Sequence, residues 1–170
     1  MLDISTARKL VDASSLRQVS LARLAEFGIR PKRRLGQNFL IDDNVLRLIL
    51  AQLEARPDDV VLEVGAGLGV LTRALAEVAA FVHAFEVDQS LAGALAVTLR
   101  DVAGVKLYFQ DVLAAPLSGL SPSPTLCASN LPYSVAAPFI IRSLQELPGI
   151  RRYCLMVQKE VAERIAASSG

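Results

Sequence analysis

From residue 60 onward, short apolar runs rich in β-formers alternate with longer stretches in which apolar residues recur three and four apart. The runs occupy residues 60–64 (VVLEV), 81–86 (FVHAFE), 105–109 (VKLYF), 125–129 (TLCAS) and 153–157 (YCLMV). Nearly unbroken apolar runs of this length predict strands covered on both faces. The stretches between them predict helices over 70–79, 89–100, 135–147 and 159–167, the second capped by Asp88. Upstream, two more helices are predicted over 6–27 and 44–55, the latter capped by Asp42 or Asp43 and ended before Pro57. Strands alternating with helices imply an α/β fold with a mainly parallel sheet. Residues 118–124 (SGLSPSP) read as a turn-rich connection, and no internal repeat or low-complexity tract interrupts the pattern.

Composition agrees with one folded domain: 170 residues, 52% hydrophobic and 21% charged, enough apolar side chains for a sizeable core. Arg, Asp, Glu or Gln interrupts every apolar segment before it reaches the roughly 18 residues of a membrane span. The first residues, MLDISTARKL, lack the apolar core of a secretory signal. Cys127 and Cys154 form no disulfide framework and have no metal-ligand spacing, so a cytoplasmic setting and no bound metal are expected. Both cysteines and His83 sit inside strand runs and are expected to be packed side chains.

The net charge of +1 hides a strong asymmetry. Residues 1–36 carry eight Lys or Arg against three Asp or Glu, leaving the remainder acidic. The excess is densest at Arg30, Lys32, Arg33 and Arg34, around a helix-breaking Pro31. Charge alone leaves two readings open, a solvated cationic loop and a phosphate-binding segment.

Candidate chemistry gathers where the predicted strands end. Glu63-Val64-Gly65-Ala66-Gly67-Leu68-Gly69 runs from a strand through three glycines into a helix, a turn that lets backbone approach a ligand closely. A nicotinamide fingerprint would place its third glycine one residue later, where Val70 stands. The preceding acid, Glu63, suits instead the pattern of nucleoside-binding methyltransferases, with a purely structural turn as the lesser alternative. Glu86 ends the next strand, where a carboxylate can accept hydrogen bonds from both hydroxyls of a ribose. Asp111, with Val112 after it, follows the third strand, where a carboxylate could accept from an exocyclic adenine amine. Asn130-Leu131-Pro132-Tyr133 ends the fourth. The Asn130 amide oxygen and the Leu131 carbonyl supply two acceptors, Pro132 fixes the turn, and Tyr133 offers a flat face to a base. Two acceptors on the hydrogens of an aromatic amine favour a more pyramidal, more nucleophilic nitrogen. A structural Asn-x-Pro turn is the competing interpretation.

In these motifs the chain resembles the ribosomal RNA adenine N6-dimethyltransferases, a family that includes small-subunit dimethyladenosine transferases, macrolide-resistance methylases and mitochondrial transcription factor B. The resemblance spans about residues 30–167. It rests on Leu35-Gly36-Gln37-Asn38-Phe39-Leu40, the Glu63–Gly69 turn, Glu86, Gln110-Asp111, Asn130-Leu131-Pro132-Tyr133 and Gln158-Lys159-Glu160-Val161-Ala162. It implies a Rossmann-like class I methyltransferase with S-adenosylmethionine as methyl donor. Asn38, Leu40, Gly65, Gly67, Glu86, Asp111, Val112 and Asn130 would hold that donor. Asn130, Leu131, Pro132 and Tyr133 would carry the chemistry on the target adenine. The implied activity is dimethylation of two adjacent adenosines near the 3′ end of small-subunit rRNA. The alternatives are a large-subunit methylase of the resistance type and a non-catalytic RNA- or transcription-partner-binding module. Residues 1–36 form the expected basic RNA-facing part and 37–170 the donor-binding core, the whole acting as a monomer. Relative to the family, a final β-hairpin and a helical RNA-binding domain are expected beyond residue 170, so the chain reads as a fragment of doubtful activity alone.

Overall fold

A computed structural model of the chain describes residue 22 and residues 24–32, 37, 39, 40, 42–131 and 133–156, and of Tyr133 the backbone alone. The predicted helix over 159–167, most of that over 6–27, the expected boundary at 36/37, and Arg33, Arg34, Asn38 and Pro132 fall outside these residues.

All five predicted strands are present: β1 (Val60–Val64), β2 (Phe81–Phe85), β3 (Val105–Tyr108), β4 (Leu126–Asn130) and β5 (Arg152–Met156). They form one parallel sheet in the order β3-β2-β1-β4-β5. The chain therefore runs outward from β1 to β3, then crosses back to lay β4 on the other side of β1. Connections diverge at the β1/β4 boundary, which opens a crevice at the carboxyl ends of these strands.

Side-chain alternation explains the unbroken apolar runs. Val61, Val82, Ala84, Leu126 and Ala128 face one core, shared with α1 (Asp43–Leu53), α2 (Val70–Ala76) and α3 (Ala92–Thr98). Leu62, Val64, Phe85 and Cys127 face the other, against α4 (Tyr133–Glu146) and the 112–120 connection. With both faces covered, β1 is buried throughout and has no polar alternation.

Helix ends follow local chemistry. The Asp42 carboxylate accepts from the Asn44 and Val45 amides at the start of α1, and Glu54 closes that helix in a left-handed conformation with φ 49°. α2 stops three residues earlier than predicted because the Val78 and Ala79 amides both fold back onto the Leu75 carbonyl. Asp88 caps a 3-10 turn, Gln89–Leu91, which leads into α3. Upstream, the Ile29 and Gly28 amides bond to the Leu24 and Ala25 carbonyls with Gly28 at φ 59°, a helix stop that turns the chain toward Arg30.

His83 is fully buried, as expected. Its Nε2 lies 2.7 Å from the Pro122 carbonyl and Nδ1 lies 2.9 Å from the Tyr108 hydroxyl. A carbonyl only accepts, so the proton is on Nε2 and Tyr108 donates to Nδ1. Burial lowers the ring's proton affinity and keeps it neutral. Cys127 is buried and its thiol is pushed up to about 12, mainly by burial, whereas Cys154 is only half-buried, because it lies on the outer strand β5. Among the described residues no helix is long and apolar enough to cross a membrane.

Candidate active site at the carboxyl edge of the sheet

The ladder hydrogen bonds continue past the strands and fix the first residues of each connecting turn. The Gly65 and Ala66 amides both donate to the Phe85 carbonyl, at 2.8 and 3.0 Å. The Glu86 amide donates to the Tyr108 carbonyl at 2.9 Å, and that of Leu131 to Met156 at 3.0 Å. With the β1–β4 pairing these bonds hold five strand ends side by side, and those of β1 to β4 border one cleft with Gly65, Gly67, Glu86, Asp111, Val112, Asn130, Leu131 and Leu40 all on its wall. The described candidate donor residues, drawn from positions 40 to 130, thus meet in one place.

Glycine is needed at two points of the first turn. Gly65 has φ 83°, and a Cβ there would lie 3.3 Å from the Asn130 carbonyl oxygen, so a side chain would force β1 and β4 apart. Gly69 enters α2 at φ 80°, where a Cβ would sit 3.1 Å from Leu95 and 3.2 Å from Thr98.

The acids behave differently from one another. Glu86 is 6% exposed and already engaged: Oε2 accepts from the Gly67 amide at 2.9 Å and Oε1 from the Asp88 amide at 2.8 Å. It anchors the glycine turn to β2 while each oxygen keeps a lone pair for a further donor. Asp111 is exposed and holds its own turn through the Leu113 amide at 2.9 Å. Glu63, flagged in the sequence only as the acid before the glycines, is fully buried on the cleft wall, and neither oxygen has a partner among the described residues. Burial pushes its carboxyl up to about 8, and the charge of Glu86 adds to the push.

Other cleft residues were not singled out as site residues. Gln37 and Phe39 line the cleft from inside the quoted Gly36–Leu40 motif, and the Phe39 ring lies 3.4 Å from where a Gly67 Cβ would be. Ser134 and Val135 line it from the first turn of α4. Arg142, also on α4, donates to the Val112, Leu113 and Ala115 carbonyls, and so ties down the turn that carries Asp111. A single Arg in a helix carries no signal of that role. Of the basic segment, Arg30 is exposed. Lys32, expected with Arg30, Arg33 and Arg34 to face RNA, has a side chain 34% exposed and places its ammonium 2.6 Å from Asp88 Oδ1, a partner that local sequence did not reveal. Among the described residues no group of three or more His, Cys, Asp or Glu is placed to hold a metal ion.

A glycine turn off the central strand, acids off the next two and the β3-β2-β1-β4-β5 order define a Rossmann-like α/β domain with a ligand cleft at the carboxyl edge of its sheet. The chain belongs to the ribosomal RNA adenine dimethylase family, whose model matches residues 28–170. Ribosomal RNA small subunit methyltransferase A of Streptomyces coelicolor is 47% identical over 152 residues, covering 86% of this chain and 52% of that protein. The protein of the same name from Nocardia farcinica is 44% identical over 165 residues, covering 94% and 56%. The chain thus spans about half the length of the curated relatives it matches. Among solved structures, a dimethyladenosine transferase from Plasmodium falciparum superposes with TM-score 0.69 at 26% identity, covering 77% of this chain and 47% of that one. The 23S rRNA methyltransferase ErmE superposes with TM-score 0.66 at 33% identity, covering 74% and 50%.

Proposed function

We propose that the chain is the donor-binding half of an enzyme that transfers methyl groups from S-adenosylmethionine to N6 of two adjacent adenosines near the 3′ end of small-subunit rRNA. The observation that carries this reading is the convergence of Glu63, Glu86, Asp111 and Asn130 on one cleft at the carboxyl edge of the sheet. That donor set fits the cofactor. Glu86 and Asp111 suit ribose hydroxyls and an adenine amine, and the unpartnered buried carboxyl of Glu63 suits a cationic amino group. Gly65, Gly67, Leu40 and Val112 supply close backbone and apolar wall. Asn38, outside the described residues, is assigned to the same wall by its place in the family motif.

When bound, the cofactor supplies a methyl group activated on a sulfonium. Asn130 is neutral, and its amide oxygen, with the Leu131 carbonyl, accepts the hydrogens of the target amine and orients its lone pair. No general base is required of the chain, because the amine proton becomes acidic only after transfer. Pro132 and Tyr133 are assigned to the seat of the base by their place in the family motif, and the base must leave its stack to enter. Positioning and fixed dipoles provide most of the rate. Arg30, Arg33 and Arg34 are assigned to RNA phosphates. Action as a monomer is part of the same proposal, and an rRNA substrate supports work in the cytoplasm.

The small-subunit reading is favoured over a large-subunit methylase because the curated relatives at 44–47% identity carry the small-subunit name, against 33% for ErmE. The test is methyl incorporation by the full-length protein into undermethylated small and large subunits, followed by mapping of the modified bases. Labelling confined to two adjacent small-subunit adenosines is expected. Labelling of the large subunit alone, or donor binding without any labelling, overturns the proposal.

A further inference from the structure

Lys32 and Gln37 bracket two arginines of the basic segment, yet both point their polar groups at one buried carboxylate on the far side of the sequence. The Lys32 ammonium donates to Asp88 Oδ1 at 2.6 Å and to Ser90 Oγ at 2.8 Å. Gln37 Nε2 donates to Asp88 Oδ2 at 2.9 Å, while Gln37 Oε1 accepts from the Lys32 amide at 2.9 Å. The Ser90 amide and hydroxyl complete the shell of Asp88, at 3.1 and 2.6 Å. An exposed ion pair would contribute little. Here the Asp88 side chain is 5% exposed and the Lys32 side chain 34%, and Asp88 takes three donors on Oδ1 and one on Oδ2, so the pair fixes geometry. Against the upward push of burial, the hydrogen bonds from Lys32, Ser90 and Gln37 hold this carboxyl well below the usual range.

The network continues into the cleft. The Asp88 amide donates to Glu86, Glu86 accepts from the Gly67 amide, and Phe39, two residues past Gln37, packs over Gly67. Phe27 against Gly93 of α3 steadies the approach to Arg30.

We propose that Lys32, Gln37 and Asp88 are positioning residues of the cleft: a clasp that fixes Gln37 and so holds the nearby wall residues Phe39 and Leu40 at Gly67. Lys32 then serves the donor and not RNA phosphates, its neighbour Arg30 keeping the latter task. The inference rests on the reading of the cleft as a donor site.

The test uses the full-length protein, with S-adenosylhomocysteine as calorimetric probe and the salt dependence of RNA association as second readout. Lys32→Met and Asp88→Asn are each expected to weaken the probe roughly tenfold, the size of one lost charge-assisted hydrogen bond. The double variant should be no worse than Asp88→Asn, since the two act as a unit. Lys32→Met should leave the salt slope of RNA binding intact. Arg30→Ala should lower that slope by about 0.7–0.9, the value of one phosphate contact, without changing probe affinity. Probe affinity within about twofold of wild type for Lys32→Met, or a salt slope reduced by that substitution, overturns the clasp. Wild-type protein that fails to bind the probe overturns the donor reading itself, and the clasp with it.

Discussion

At the scale of single residues, Glu63 and Asn130 separate two kinds of polar group in one cleft. Among the described residues Glu63 has no partner at hydrogen-bond distance, and burial pushes its carboxyl up to about 8 against a weaker pull from the nearby Thr72 hydroxyl. Between its ordinary value of 4.5 and about 8 the folded state keeps a proton that the unfolded chain gives up, so stability should fall as pH rises across that window. Glu63→Gln is expected to flatten the decline, making the variant the more stable protein at pH 8, as read by urea midpoints at pH 5 and 8. Equal slopes for the two proteins would show that Glu63 ionises freely in the folded state. On the role proposed for its amide oxygen, Asn130→Ala should abolish methyl transfer while most donor affinity survives. Persisting transfer would refute the amine-acceptor argument. That Glu86, Asp111 and Asn130 lie around one cleft was legible because an apolar run followed by a turn marks a strand's carboxyl end, and in a parallel sheet those ends gather at one edge. The burial of Glu63 was not legible, since its position in a five-residue run carries no sign of which face lacks donors.

Secondary-structure elements were read from period and capping, and the five strands fall within one residue of their predicted bounds. What local pattern cannot contain is a side chain of one element serving the turn of another. Arg142 sits 31 residues from Asp111, yet its guanidinium spans three carbonyls of the turn that begins there and pairs with Glu146 one helical turn on. A planar fork can serve three acceptors at once, and an ammonium cannot. Arg142→Lys is therefore expected to cost about 1–3 kcal/mol of unfolding free energy, the penalty of leaving buried acceptors unmet. It should also weaken the donor more than it slows transfer at saturating donor. Unchanged donor affinity in a destabilised variant would confine Arg142 to a structural part. The basic run at Arg30–Arg34 teaches the same lesson, because the partner of Lys32 lies 56 residues away.

For the molecule as a whole, the two edges of the sheet divide the work. The carboxyl edge carries the cleft, and among the described residues its ion pair is that of Asp88 with Lys32. At the amino edge Asp59 is 4% exposed and bidentate to Arg151, at 2.5 and 2.8 Å, while Thr125 donates to it at 2.7 Å. The group joins the starts of β1, β4 and β5, and the Thr125 amide closes onto Val60 at 2.8 Å. The Arg151 guanidinium, outweighing burial, holds the Asp59 carboxyl well below its ordinary 3.8. A depressed acid contributes stability above its unfolded value and loses it as pH falls through the folded one. The contribution is thus complete at pH 7 and fades below about pH 4. Arg151→Ala leaves a buried carboxylate poorly paired and should cost about 1–3 kcal/mol at pH 7, moderated because Arg151 itself is half-exposed. The loss should shrink as pH falls from 5 to 2.5, where Asp59 in the variant takes up a proton. Donor affinity should not change, since no residue of the group touches the cleft. Urea unfolding across that range, with calorimetry of S-adenosylhomocysteine at pH 7, measures both. A variant that lost donor affinity in step with stability would mean that the two edges are coupled through β1 and not independent.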